Sequence, residues 1–235
     1  MKSIIHKSDS RGNANYGWLH THYTFSFANY YNPDRMGFGT LRVLNDDWID
    51  GGKGFDRHPH DNMEIVTIPL EGDLEHADSM GNKFLIRKND VQIMSAGTGI
   101  FHSEYNKDPE KPLSLLQIWV FPEKKNITPR YDQKTFLHED RINHWQRIVS
   151  PNESEAVWVN QEAYFSLLSL EKDHTVPYQL KNEKHGVYLF VIDGAIKVED
   201  SIELEKRDGA GIWETSSLSV SALKDSEILL MEIPM

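Results

Sequence analysis

The segment Glu64-Ile65-Val66-Thr67-Ile68-Pro69-Leu70-Glu71-Gly72-Asp73-Leu74-Glu75 reads as a strand, a glycine-containing turn and a returning strand. The same grammar recurs in Val187-Tyr188-Leu189-Phe190-Val191-Ile192-Asp193-Gly194-Ala195-Ile196-Lys197-Val198. Working outward, Leu85 to Met94 is echoed by Leu204 to Trp213. The strand Leu113 to Val120, which precedes Pro122, is echoed by Ile228 to Ile233 before Pro234. Because the order of the pieces is conserved while the residues are not, the chain reads as a duplicated β-domain. Short apolar runs such as Thr40 to Leu44 and Phe84 to Ile86, punctuated by Gly, Asp and Asn, make both halves all-β sandwiches or barrels. The charged stretch Pro122 to Pro129 breaks the pattern, and Lys134 to Gln146 is the expected site of a short connecting helix. The predicted division is therefore a first domain over 1–122, a linker over 123–146 and a second domain over 147–235.

The chain has 235 residues, enough for a substantial core, and its 39% hydrophobic and 26% charged content is that of an ordinary globular protein. Thirty-six acidic residues against 25 basic ones give a formal charge of −11. That surface repels phosphate backbones, and the nearest thing to a basic run, Lys124-Lys125, is too short to offset it, so no direct nucleic-acid binding is expected. With no cysteine, disulfides, thiolate zinc sites, cysteine-ligated iron–sulfur clusters and thiol nucleophiles are all excluded. No stretch resembles a signal peptide or a membrane span, and a cytoplasmic location without membrane contact is the expectation.

Two fragments carry the chemistry. His58-Pro59-His60 and His102-Ser103-Glu104 each place two metal-capable side chains at spacing two, which on a strand puts both on one face. If the two strands lie side by side, three imidazoles and a carboxylate converge. Such donors suit a divalent ion: iron, manganese, cobalt, nickel, copper or zinc. Glycine-rich turns, Gly51-Gly52-Lys53-Gly54 and Ala96-Gly97-Thr98-Gly99, precede the two fragments. Among eleven histidines some chance pairs are expected, and His20-Thr21-His22 is read as one. The second half carries Gln179-Leu180-Lys181-Asn182-Glu183 where a histidine pair would stand, and no His-x-Glu follows Trp213. His174 and His185 are read there as surface or loop residues. One ion per chain, held in the first domain, is therefore predicted. Neutral imidazole is the binding form, so ordinary histidines would release the ion below about pH 6.5.

With these blocks assembled, the chain resembles the pirin family of bicupins. The matching residues are Ser10-Arg11-Gly12, Gly17-Trp18-Leu19, Thr24-Phe25-Ser26-Phe27-Ala28-Asn29-Tyr30-Tyr31, Gly54-Phe55, His58-Pro59-His60, Glu64, and Ala96-Gly97-Thr98-Gly99-Ile100-Phe101-His102-Ser103-Glu104. The resemblance implies two tandem jelly-roll barrels. It departs from the general cupin pattern where Gly97-Thr98-Gly99 replaces Pro-x-Gly, while Asn106 keeps its spacing from His102. In many cupins the acid at the position of Glu64 is a ligand. In pirins the acid two residues after the third histidine takes that role, which implies His58, His60, His102 and Glu104 as ligands and Glu64 as a residue behind them.

The nearest relatives implied are the bacterial pirin-like quercetin 2,3-dioxygenases, with iron(II) the expected ion and a planar polyphenol plus dioxygen the expected substrates. Flavonol ring opening with release of carbon monoxide needs a base for the 3-hydroxyl proton. Glu104 is the first candidate and Glu64 the second. An apolar slot would draw on Phe25, Phe27 and Phe55, whose ordinary role is core packing, whereas Phe101 should point away from His102 and be buried elsewhere. The competing expectation from the same family is a metal-binding, redox-sensing regulatory protein.

Overall fold

The computed structural model describes every residue except Asp200. In chain order its strands are β1 Lys2–His6, β2 Gly12–Asn15, β3 Leu19–Tyr23, β4 Leu41–Ile49, β5 Gly54–His60, β6 Glu64–Glu71, β7 Leu74–Asp78, β8 Lys83–Ile86, β9 Asp90–Ser95, β10 Ile100–Asn106, β11 Leu113–Val120 and β12 Arg130–Thr135. There follow β13 Gln146–Ser150, β14 Val157–Trp158, β15 Tyr164–Leu170, β16 Thr175–Gln179, β17 His185–Asp193, β18 Ala195–Val198, β19 Ile202–Glu205, β20 Gly209–Trp213, β21 Ser217–Ala222 and β22 Ser226–Pro234.

Each half pairs a seven-stranded sheet with a four-stranded one. The first half has the orders β12-β9-β6-β11-β4-β3-β2 and β5-β10-β7-β8, and the second has β1-β20-β17-β22-β15-β13-β14 and β16-β21-β18-β19. The all-β, two-cupin expectation holds. The repeated strand–turn–strand units of the sequence are β6–β7 and β17–β18; in each the chain turns from the seven-stranded sheet into the four-stranded one, so the two strands do not pair as a hairpin.

The two large sheets pack face to face. Val66, Ile68, Ile93, Leu116 and Ile118 of the first meet Phe165, Phe190, Leu229, Met231 and Ile233 of the second in one continuous core. Strands that bury this face and also line a barrel are apolar on both sides, which explains the unbroken runs of β6, β11, β17 and β22.

The barrel-facing sides differ between the halves. In the second barrel Leu168, Tyr178, Val187, Leu189, Val220 and Leu230 belong to one apolar filling. In the first, the filling is split into Leu19, Ile49, Leu74, Ile86, Leu113 and Leu115 at one level and Ile65, Met94, Ala96 and Ile100 at another. Buried Asn45, Thr67, Gln92, His102, Glu104 and Gln117 are the polar members of the same barrel.

Two strands cross the predicted division. Strand β12 lies in the expected linker but pairs with β9 of the first domain, from Arg130↔Ser95 to Thr135↔Asp90. Strand β1 lies within 1–122 but pairs with β20 of the second domain, from Lys2↔Trp213 to His6↔Gly209. The helix expected over Lys134 to Gln146 does not form. The segment contributes the end of β12, a four-residue 3-10 turn at His138–Arg141 and the start of β13. Its first residues are instead held in the sheet, Lys134 opposite Val91 and Thr135 opposite Asp90, where Thr135 Oγ1 donates to Asp90 Oδ1.

Candidate metal centre

Strand β10 is central in its sheet, and its inward side chains meet donors from both neighbours. On one side His102 stands directly opposite His58, and Ile100 opposite His60. On the other, Glu104 stands opposite His76 of β7. The register of β5 against β10 slips between His102 and Glu104, a bulge that kinks β5 at Asp56-Arg57. At the start of β5 a side chain on Gly54 would collide with the backbone of Glu104 and Tyr105, so glycine there lets the two strands close. Gly97 has φ of +49° in the turn that launches β10, and a β-carbon there would strike the Ile127 carbonyl.

The resulting donors fall into two overlapping groups, His58/His60/His102 and His76/His102/Glu104. Within each group the ligand atoms lie within 4.8 Å of one another. The His58 and His102 rings are 4.4 Å apart, and His60 is 4.9 Å from each of them. Their hydrogen bonding fits an ion. The Nδ1 of His58 donates to the Asp56 carbonyl at 2.7 Å, which leaves its Nε2 with a lone pair. His60 Nε2, both nitrogens of His102 and His76 Nδ1 are buried without a hydrogen-bond partner. Orphaned polar atoms are costly unless something pairs with them, and a nitrogen from each of these rings can answer the demand of a divalent ion for nitrogen donors.

Glu104 is held from behind. Gln117 Nε2 donates to both carboxylate oxygens at 3.3 and 3.2 Å. The indole N–H of Trp119 donates to Gln117 Oε1 at 3.0 Å, and since indole can only donate, it fixes which end of the amide faces the acid.

Burial, reinforced by neighbouring imidazoles, pushes His60 down to about 4 and His102 down to about 3. Both are neutral at physiological pH, ready to bind a cation. Proton competition at these two histidines begins well below the pH 6.5 expected of ordinary ones. The ion should accordingly persist at pH 5.5, which dialysis against buffers of stepped pH followed by elemental analysis would measure.

Glu64 is not behind the ligands. Parity on β6 sends Ile65 and Thr67 into the barrel, and Glu64, Val66 and Ile68 to the opposite face, against the second domain. There its Oε2 accepts from Ser95 Oγ at 2.7 Å and from the Asn160 backbone N–H at 3.1 Å. Burial pushes its carboxyl up to about 7, against the pull of those two hydrogen bonds. This corrects the expectation of Glu64 as a second base: it is an interface residue.

The sign of its effect follows. Below pH 4.5 the carboxyl is protonated in both states. As pH rises through about 7 the unfolded chain ionises first, so stability falls. Glu64→Gln removes that loss and is expected to stabilise the protein at pH 8, by on the order of 2–3 kcal/mol, with little change at pH 5 and no change in metal occupancy. Urea unfolding at the two pH values would check this.

Of the three aromatic residues expected at a substrate slot, Phe25 is 1% exposed in the interdomain core, packed on His6 and Tyr188. It cannot touch a ligand at the metal, and this too is a correction. Phe27 packs edge-on against Trp119 at 5.2 Å, and Trp119 lies 4.9 Å from His60. Phe55 packs against Trp18 and lies 6.3 Å from His58. Phe101 does point away from His102, but it is exposed, with Arg57 over its ring, where burial was expected.

His20 and His22 face away from the barrel into a cleft of about 1430 Å³ between the domains. His185, expected at the surface, is 3% exposed. Its Nδ1 donates at 3.0 Å to Glu232, whose fully buried carboxylate also accepts from Tyr178 Oη at 2.8 Å and from the backbone N–H groups of Lys181 and Asn182 at 2.8 and 3.3 Å. His76, Gln117, Trp119 and Tyr131 are the site residues that sequence reasoning missed. Tyr131 reaches it from β12, its ring 4.9 Å from His76.

Comparison with known proteins agrees with this architecture. The family model Pirin matches residues 5–120, and the Quercetinase C-terminal cupin domain matches residues 147–233. The quercetin 2,3-dioxygenase of Escherichia coli K12 is 44% identical over 231 residues, spanning 98% of each chain. A pirin-like protein of Caulobacter vibrioides is 38% identical, covering 95% of this chain and 96% of its own. Among solved structures, the bacterial pirin YhhW of Escherichia coli in complex with nickel(II) superimposes with a TM-score of 0.93 at 42% identity over 99% of both chains. With its two barrels, its converging histidines and these relatives, the chain belongs to the pirin family.

Proposed function

We propose that this protein is a metal-dependent dioxygenase that opens the flavonol ring of quercetin-like polyphenols with release of carbon monoxide, in the cytoplasm. His58, His60, His102 and Glu104 would hold one divalent ion, iron(II) in the first instance, with manganese, cobalt, nickel, copper or zinc as alternatives. The observation that carries this reading is the convergence of unpaired imidazole nitrogens beside a carboxylate in the first barrel, with no such group in the second among the described residues. The naming of a 44% identical relative as a quercetin 2,3-dioxygenase and the nickel(II) complex of YhhW support it.

When bound, such an ion supplies Lewis acidity toward a substrate hydroxyl and a redox centre for dioxygen. The chain supplies the rest. Glu104 is the base placed to take the 3-hydroxyl proton, and Gln117, locked by Trp119, keeps its oxygens in position as the charge changes. Phe27, Trp119 and Phe55 offer aromatic edges near the histidines for a planar ligand. Burial makes His60 and His102 poor proton acceptors, which favours the carboxylate in that role.

The test is oxygen uptake by metal-replete protein with quercetin, with carbon monoxide detection and an anaerobic control. Uptake matched by loss of the flavonol absorbance supports the reading. Quercetin binding without oxygen consumption would instead favour a metal-binding regulatory protein.

A further inference from the structure

We propose that the first barrel contains a second, inner position for a divalent ion, formed by His76, His102 and Glu104 and overlapping the outer group at the shared His102. This rests on metal entering the barrel as proposed above and is independent of the reaction.

His76 is fully buried, and its Nε2 faces Asp78 Oδ2 at 3.4 Å. Asp78 is itself fixed by Asn82, through the side-chain amide at 2.8 Å and the backbone N–H at 3.1 Å, and by the Met80 backbone N–H at 2.9 Å. A carboxylate accepts only, so the His76 proton resides on Nε2 and Nδ1 presents a lone pair. That lone pair is buried with no donor to meet it, and it belongs to the group whose ligand atoms lie within 4.8 Å of one another. A carboxylate behind a histidine whose other nitrogen is free is the arrangement that orients imidazoles toward metals. What sets this nitrogen apart from the equally unpaired Nε2 of His6 is the carboxylate behind its ring and the His102 and Glu104 donor atoms in front of it.

Two nitrogens and a carboxylate oxygen suit cobalt, nickel or zinc. Because both groups need His102, one ion occupies one position or the other. In the inner position it leaves His58 and His60 free.

Cobalt(II) alone is the probe, with binding followed by calorimetry and by the visible absorption of the ion. The double variant His58→Ala/His60→Ala, shown to be folded by circular dichroism, is expected to retain one cobalt per chain with altered bands and affinity weakened by more than the about 10- to 100-fold that loss of an outer partner of a ligand brings. Adding His76→Gln should remove that residual binding. Loss of all binding in the double variant while the unmodified protein binds cobalt would overturn the inner position. So would residual binding that is indifferent to His76→Gln. If the alanine pair does not fold, His58→Gln/His60→Gln carries the same test. Failure of the unmodified protein to bind cobalt at all would overturn the metal assignment itself.

Discussion

Replacing His102 by alanine is expected to abolish metal binding, reducing affinity by more than the roughly 100-fold seen when only an outer partner of a ligand is lost. His102 is common to both donor groups, so no alternative triad survives its removal. His58→Ala or His60→Ala leaves the inner group intact and should weaken binding less. His174→Ala, at an exposed position, should do nothing. Elemental analysis after dialysis would read occupancy, with one ion per chain expected in the unmodified protein. Two tightly bound ions would contradict a shared ligand. Thermal melts give a second readout: added nickel should raise the midpoint of the unmodified protein and leave the His102→Ala variant unmoved.

The largest effect on stability is expected far from the metal. Glu232→Ala strips the second barrel of the acceptor shared by His185, Tyr178 and two backbone N–H groups, all within the buried cluster at the Lys181-Asn182 turn. Removing one partner from such a network costs on the order of 3–5 kcal/mol, because the remaining groups stay buried and unpaired. Glu232→Gln keeps an acceptor oxygen and should cost less than half of that. Denaturant unfolding would measure both, and cobalt stoichiometry should be unchanged in the folded fraction of each variant. A cost below about 1 kcal/mol for the alanine variant would mean that water reaches the cluster.

What the sequence revealed and what it hid have separate physical causes. The duplicated strand–turn–strand units were legible because a turn glycine between two apolar runs is a local signal, and the meeting of His58, His60 and His102 because spacing two on a strand is local as well. Glu64 misled because β6 is apolar on both faces, so its sequence does not say which parity points into the barrel. Phe25 misled for a related reason, since an aromatic residue near a motif says nothing about which side of the sheet it fills. His76 was invisible because it stands alone on a short strand, and its partners Glu104 and His102 lie across the sheet. Gln117 and Trp119 sit in an apolar run where a lone amide reads as noise until Glu104 is seen opposite.

Exchange of the outer strands also has a consequence for how the chain is made. The pairing of Lys2 with Trp213 means that β1 leaves the ribosome long before its partner β20 exists. The first barrel has all its strands once β12 arrives with residues 130–135, well before β20 at residues 209–213. Strand β1 must therefore remain unpaired for most of synthesis. At about 5–20 residues per second that wait lasts roughly ten seconds or more. The exposed Lys2 and the absence of long apolar repeats in Lys2-Ser3-Ile4-Ile5-His6 suit a segment that has to stay soluble until the second barrel is nearly complete. Closure of β1 onto β20 is then a late event, and it couples the finished second domain back to the one that carries the ligands.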